Sequence, residues 1–139
     1  GKGYVKSLYE GIPNEVDTVN FEARRSGGGL FDNAVDLCVD GSLMLAPLRG
    51  HTRGQMGLMV NLRGGESYLF IGDAAWISEN YLRKLPPSRP ARMILADFQQ
   101  FKKTLQVLND FHREYPWVTI IPSHCPSIWE NLRAEGIAV

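Results

Sequence analysis

Four apolar runs of strand length follow one another between Ala34 and Ile71, joined by short segments that contain glycine. Val35, Leu37 and Val39 alternate with polar or small residues, Asp40-Gly41 offers a tight turn, and Leu43, Leu45 and Pro47 follow, which reads as a β-hairpin. Met56 to Leu62 and Ser67 to Ile71, joined across Arg63-Gly64-Gly65-Glu66, read as a second hairpin. Four strands in succession imply an antiparallel sheet, because parallel neighbours need a long crossover between them.

After Asp73 the pattern changes. Ser78 can cap a short helix through Tyr81 to Lys84, and Pro86-Pro87-Ser88-Arg89-Pro90 forces an extended crossing. Phe98, Phe101, Leu105 and Leu108 recur at helical spacing between about Ala91 and Tyr115, so one apolar stripe must lie on the sheet while Lys102, Lys103 and Asp110 face water. Pro116 ends this helix, and Val118 to Ile121 reads as a short buried strand. Ser127, with Glu130 in capping-box position, is expected to start a last helix. From Asp17 to Asn33 no period is visible, and three consecutive glycines, Gly27 to Gly29, predict a mobile surface loop.

No repeat or long polar linker divides the chain, and 139 residues with 44% hydrophobic content suit one domain with its own core. Fifteen basic residues balance fifteen acidic ones, which argues against a nucleic-acid or anionic-lipid partner. No run approaches the ~20 apolar residues of a membrane span, and Gly1-Lys2-Gly3-Tyr4 lacks the apolar core of a signal peptide. With two cysteines, Cys38 and Cys125, expected as reduced, semi-buried thiols, a cytoplasmic location follows. The absence of an initial Met leads us to expect a natural N-terminal portion upstream.

Three sites share one topology, a metal-capable side chain just after an apolar strand: His51 after Leu48-Arg49-Gly50, Asp73 after Leu69 to Gly72, and His124 after Ile120 to Ser123. Loops leaving one edge of a sheet can bring such side chains together. Two imidazoles and a carboxylate suit zinc, manganese or iron, with the carboxylate able to bridge two ions. Singly, each has a plainer role: a hydrogen-bonded structural histidine, a turn-capping aspartate, a loop histidine between prolines. The spacing leaves both readings open.

Gly50-His51-Thr52-Arg53-Gly54-Gln55, Phe70-Ile71-Gly72-Asp73-Ala74 and Ile121-Pro122-Ser123-His124 resemble, in order, the last three metal motifs of the metallo-β-lactamase superfamily. The similarity spans roughly Asp36 to Trp129 and is closest in character to lactonase-like branches. It implies an α/β fold, one half of an αββα sandwich with a mostly antiparallel sheet covered by helices. Residues 34–139 would form this C-terminal half, and residues 1–33 an irregular or edge segment. It also implies that His51 binds one metal, His124 a second, and that Asp73 bridges both and is catalytic. One or two zinc ions, or manganese or iron, would then lower the pKa of a water and polarise a substrate carbonyl. Trp76 falls where lactonase-like members often carry a substrate-contacting tyrosine, although it has no hydroxyl. Arg53 and Gln55 depart from the family's Pro and His.

The superfamily's His-x-His-x-Asp-His signature does not occur among the three histidines, His51, His112 and His124. His112 continues the helical stripe and reads as a packing residue. The resemblance therefore implies a hydrolase of a small ester, lactone or amide seen without its first metal motif. Its apolar sheet face would be covered by the missing half or by a second copy. The alternative is an inactive half-fold serving as a scaffold or interaction module. Cys125 reads as a small buried thiol more readily than as a modulator of the site. Gly27 to Gly29 match no phosphate loop, and Ser42, Ser78 and Ser127 sit in no nucleophile elbow.

Overall fold

The computed structural model describes residue 30 and residues 33–137, so the glycine-rich segment expected to be mobile lies outside the described residues. One five-stranded sheet carries the strands in chain order: β1 (Val35–Asp36), β2 (Leu43–Pro47), β3 (Met56–Asn61), β4 (Ser67–Gly72) and β5 (Thr119–Pro122). The first four pair antiparallel, and β5 lies parallel to β4. The crossover that a parallel pair requires contains helix α1 (Ser78–Leu82), a 3-10 turn (Pro90–Ile94) and helix α2 (Phe98–Glu114). Helix α3 (Pro126–Ala134) follows β5.

The sheet register explains where the core sits. Met44, Met59, Leu69 and Ile120 are cross-strand partners in one row, and all belong to or pack against the buried cluster. Phe101, Leu105 and Leu108 of α2, with Phe111, join the same cluster, so the helix stripe lies on this face, but Phe98, expected in that stripe, is only half-buried at the helix start with the Arg92 and Lys102 cations over its ring. Lys102, Lys103 and Asp110 are exposed, as the periodicity predicts. The neighbouring row, Val35, Leu45, Leu58, Phe70 and Ile121, points the other way. Val35 and Ile121 at the two ends of this row are buried, but Leu45 and Leu58 between them are half-buried and Phe70 is 37% exposed, so the middle of this apolar second face is less covered than the first.

Several element boundaries differ from the sequence reading. The first strand is only two residues long, because the Asp36 carboxylate accepts hydrogen bonds from the backbone N–H of Cys38, Val39 and Gly41 and winds the chain into a turn. Val39, expected on a strand, is 89% exposed in the left-handed region. The long helix begins at Phe98 rather than near Ala91, capped by Asp97, whose carboxylate accepts from the Gln100 N–H at 2.9 Å. The last helix starts at Pro126 with Cys125 at the cap, not Ser127, since proline at the first helical position has its φ preset and lacks no needed donor. Ser78 lies inside α1, behind an Ile77 cap.

Of the core positions, Leu105 is fully enclosed at the centre of the helix–sheet contact. Leu105→Ala is expected to lower stability by about 2 to 5 kcal/mol in urea unfolding, whereas Lys103→Ala should stay within about 0.5 kcal/mol. A near-neutral Leu105→Ala would show that α2 does not hold the sheet.

Candidate functional site

Strand pairing brings the three candidate side chains to one edge. Gly72 at the end of β4 is partnered with Pro122 at the end of β5, so Asp73 and the Ser123-His124 pair emerge side by side. In the antiparallel β3–β4 ladder Leu58 faces Phe70, which brings the start of β3, and with it the His51 loop, to the same end. Gln55 secures that junction: its Nε2 donates to the carbonyls of Met56 (2.9 Å) and Ile71 (3.2 Å). The family-like histidine is absent at this position, and the amide does structural work instead.

The His51 loop is clamped from behind by α2. Asp97 N–H donates to the Gly50 carbonyl at 3.0 Å, Ala96 N–H to that of His51 at 2.9 Å, and the Thr104 hydroxyl to that of Arg49 at 2.6 Å. Gly50 adopts φ +136°, and a Cβ there would stand 2.4 Å from the Cα of Phe101, so the loop packs directly on the helix backbone. Gly72 adopts φ +52°, where a Cβ would press on Gln55, and this left-handed bend turns the chain out of β4 into Asp73.

His51, Asp73 and His124 do come together. His51 Nε2 stands 3.2 Å from Oδ2 of Asp73, and His124 Nε2 stands 3.1 Å from Oδ1. Ser123 donates its hydroxyl proton to the same Oδ1, a partner that the sequence reading missed although Ser123 adjoins His124 in the motif. Trp76 also lies at the site, its indole edge-on to His51 with ring centroids 6.3 Å apart. These four line a pocket of about 650 Å³ with Ile77, Asn80, Pro86, Pro87, Ser88 and Ile94. One wall of it is therefore polar and the rest largely apolar. His112 is elsewhere, half-buried edge-on against Tyr81 at 5.9 Å, in keeping with a packing role.

The donor set fits part of a metal site. Ligands about 2.0 to 2.2 Å from a tetrahedral zinc lie ~3.3 Å from one another, close to both imidazole–carboxylate distances. Each carboxylate oxygen faces a different imidazole, the arrangement that a carboxylate shared between two cations needs. Each cation would then have only two side-chain ligands here, and among the described residues no group of three or more His, Cys, Asp or Glu is arranged to hold a metal ion. Nδ1 of His51 is buried with no hydrogen-bond partner among the described residues, so the group that ordinarily orients a metal-binding imidazole from behind is lacking.

Beneath the site, Cys125 contacts the hydroxyls of Ser78 (3.2 Å) and Ser127 (3.5 Å). Burial pushes its thiol pKa up, but hydrogen bonds from Ser127 and Ser78 outweigh that and hold it below the ordinary thiol range. Burial, the largest effect, raises the Tyr81 hydroxyl above its usual value. Cys38 is exposed and Cys125 buried, so the two expected semi-buried thiols differ in environment.

Gly50→Ala is expected to cost about 3 kcal/mol or more, since it combines an unfavourable φ with a clash against helix backbone that cannot rotate away. The same substitution should broaden or shift the His51 imidazole NMR signals. An unaltered urea midpoint would show that the loop does not rest on α2.

No family model and no curated protein matches this sequence. Solved structures do match in fold. An N-acyl homoserine lactone hydrolase, with the product N-hexanoyl-L-homoserine bound at its catalytic metal center, superposes with a TM-score of 0.57 at 16% identity, over 70% of this chain and 36% of that one. A mutant of AiiA from B. thuringiensis, with N-decanoyl-L-homoserine at its active site, gives 0.57 at 16% identity over the same shares. A quorum-quenching N-acyl homoserine lactone lactonase gives 0.51 at 19% identity, over 62% of this chain and 33% of that one. The chain thus spans about a third of the length of the structures it matches. No helix among the described residues is long and apolar enough to cross a membrane. The mostly antiparallel five-stranded sheet with its three helices has the architecture of one half of the metallo-β-lactamase fold.

Proposed function

We propose that this chain is the C-terminal half of a metal-dependent hydrolase acting on a small ester, lactone or amide. One observation carries the reading: a single carboxylate, Asp73, presents each of its oxygens to an imidazole from a different loop, at the mouth of a largely apolar pocket. In this proposal His51, Asp73 and His124 would hold the metal. Zinc, or manganese or iron, when bound there supplies Lewis acidity, lowering the pKa of a water and polarising a carbonyl.

The chain's own residues do the rest. The Ser123 hydroxyl, by donating to Oδ1, fixes the rotation of the Asp73 carboxylate so that both oxygens stay aimed at the histidines. Trp76 provides an apolar face beside His51, and its indole N–H can donate but not accept a proton, unlike a tyrosine hydroxyl. Trp76, Ile77, Pro86, Pro87 and Ile94 displace water around the substrate and leave the polar groups on one side. The molecules bound in the neighbouring structures, N-hexanoyl- and N-decanoyl-L-homoserine, combine an apolar tail with a polar head in this way. Free thiols at Cys38 and Cys125 accord with a reducing, cytoplasmic setting.

A second reading, an inactive half-fold that serves as a scaffold, is favoured by two observations. No ion would receive three ligands from the described residues, and Nδ1 of His51 has no hydrogen-bond partner among them. Under the hydrolase reading both gaps are filled by a second polypeptide portion carrying the His-x-His-x-Asp-His signature, which also covers the sheet face of Leu45, Leu58 and Phe70.

Lactone and ester hydrolysis with added zinc or manganese tests the choice. The isolated 139-residue chain is expected to be inert, and activity and thermal stability should rise together when the complementary half is supplied. His51→Ala should then reduce turnover by at least ~100-fold, the scale of losing a metal ligand. No hydrolysis by the complemented protein would support the scaffold. Turnover by the isolated chain that vanishes in His51→Ala would point instead to a homodimer completing the site.

A further inference from the structure

Asn80 is a buried polar residue that lines the pocket, and both ends of its carboxamide are engaged. Its Oδ1 accepts from the backbone N–H of Trp76 and of Ile77, both at 3.1 Å, and its Nδ2 donates to the Leu85 carbonyl at 3.0 Å. These three bonds join two wall segments of the pocket: Trp76 and Ile77 line it, and Leu85 leads directly into Pro86 and Pro87, which line it too.

Both segments lie outside the sheet ladder, since Pro86 and Pro87 have no N–H to give to it and Trp76 and Ile77 lie in the turn between β4 and α1, so side chains tie them: Asn80 joins the two to each other, and Arg92 Nε donates to the Pro87 carbonyl at 3.2 Å. The Trp76 peptide passes the constraint onward: its carbonyl accepts from the His124 N–H at 3.1 Å, and its ring rests against His51. We propose that Asn80 is a positioning residue that sets the separation of the two walls, and thereby the size of molecule that reaches Asp73. Only its bearing on substrate choice rests on the hydrolase reading; the coupling of the walls stands apart from it.

The experiment compares Asn80→Asp and Asn80→Leu with the unaltered chain by amide hydrogen exchange, with Leu105 and Leu108 of α2 as reporters of global opening. The Asn80→Asp carboxylate keeps both acceptor bonds but cannot donate to Leu85 and repels its carbonyl. Trp76 and Ile77 should therefore stay protected while Arg92, whose N–H donates to the Ser88 carbonyl, exchanges about tenfold faster, the factor expected for one lost buried hydrogen bond. In Asn80→Leu both walls should exchange faster. A benzene-sized and a naphthalene-sized alcohol, titrated against the Trp76 indole resonance, then read the slot: Asn80→Asp should shift their affinity ratio at least ~threefold toward the larger probe. Acceleration shared equally by Leu105 and Leu108 would reduce Asn80 to a general stabiliser and overturn the proposal. So would unchanged wall exchange in Asn80→Leu, or an unmoved probe ratio. Neither readout involves hydrolysis or metal, so failure here is distinct from failure of the hydrolase reading.

Discussion

The parallel pairing of β4 with β5 is the constraint on which the rest of the structure depends. Antiparallel hairpins alone would send successive strand ends to opposite edges, whereas this one parallel contact sets Gly72 beside Pro122 and releases Asp73 and His124 from neighbouring strand ends. A parallel pair demands a crossover, and the crossover supplies α1, the proline-rich wall and α2. Helix α2 in turn carries the stripe that buries the sheet face, and its first turns hold the His51 loop through Asp97, Phe101 and Thr104. One topological choice thus produces the core, the pocket wall and the placement of all three polar side chains.

The polar cluster at that edge is not there for stability. Asp73 is 32% exposed and His124 66%, so their interaction is screened by water and worth at most about 1 kcal/mol. His51, 19% exposed, carries a buried Nδ1 without a partner among the described residues, a defect that costs about 1 to 3 kcal/mol. A fold selected for stability alone would place apolar groups at these positions. Clusters that break the local rules in this way are where function is sought first.

The parts legible in the sequence were those governed by simple periods. The stripe of Phe101, Leu105 and Leu108 repeats at helical spacing, and the β3 and β4 runs are bounded by unmistakable glycine turns, so their faces followed from spacing alone. Convergence of His51, Asp73 and His124 was legible because each follows an apolar strand. What escaped was set by single side chains bonding to backbone. Asp36 shortens β1 by capturing three N–H groups, Asp97 delays the start of α2, and Pro126 displaces Ser127 from the cap of α3. Ser123, Gln55 and Asn80 reach partners on other elements, and no period in the chain announces such contacts.

The unfinished character of the site and that of the sheet have a common geometric origin. The row Leu45, Leu58 and Phe70 lies on the face opposite α2, while Asp73 emerges three residues after Phe70, where β4 ends. A surface covering that row would lie across β2, β3 and β4, near the strand end from which Asp73 emerges. Apolar burial on that face and the polar groups at that edge are therefore neighbours in space. In the proposed hydrolase, a complementary half held by the apolar face would at the same time be directed to the edge, and the free energy of covering Leu45, Leu58 and Phe70 would become available to order the side chains it brought there. An incomplete donor set on a partly covered sheet is in this sense one feature, because the same strand that leaves Phe70 open to water carries Asp73 at its end.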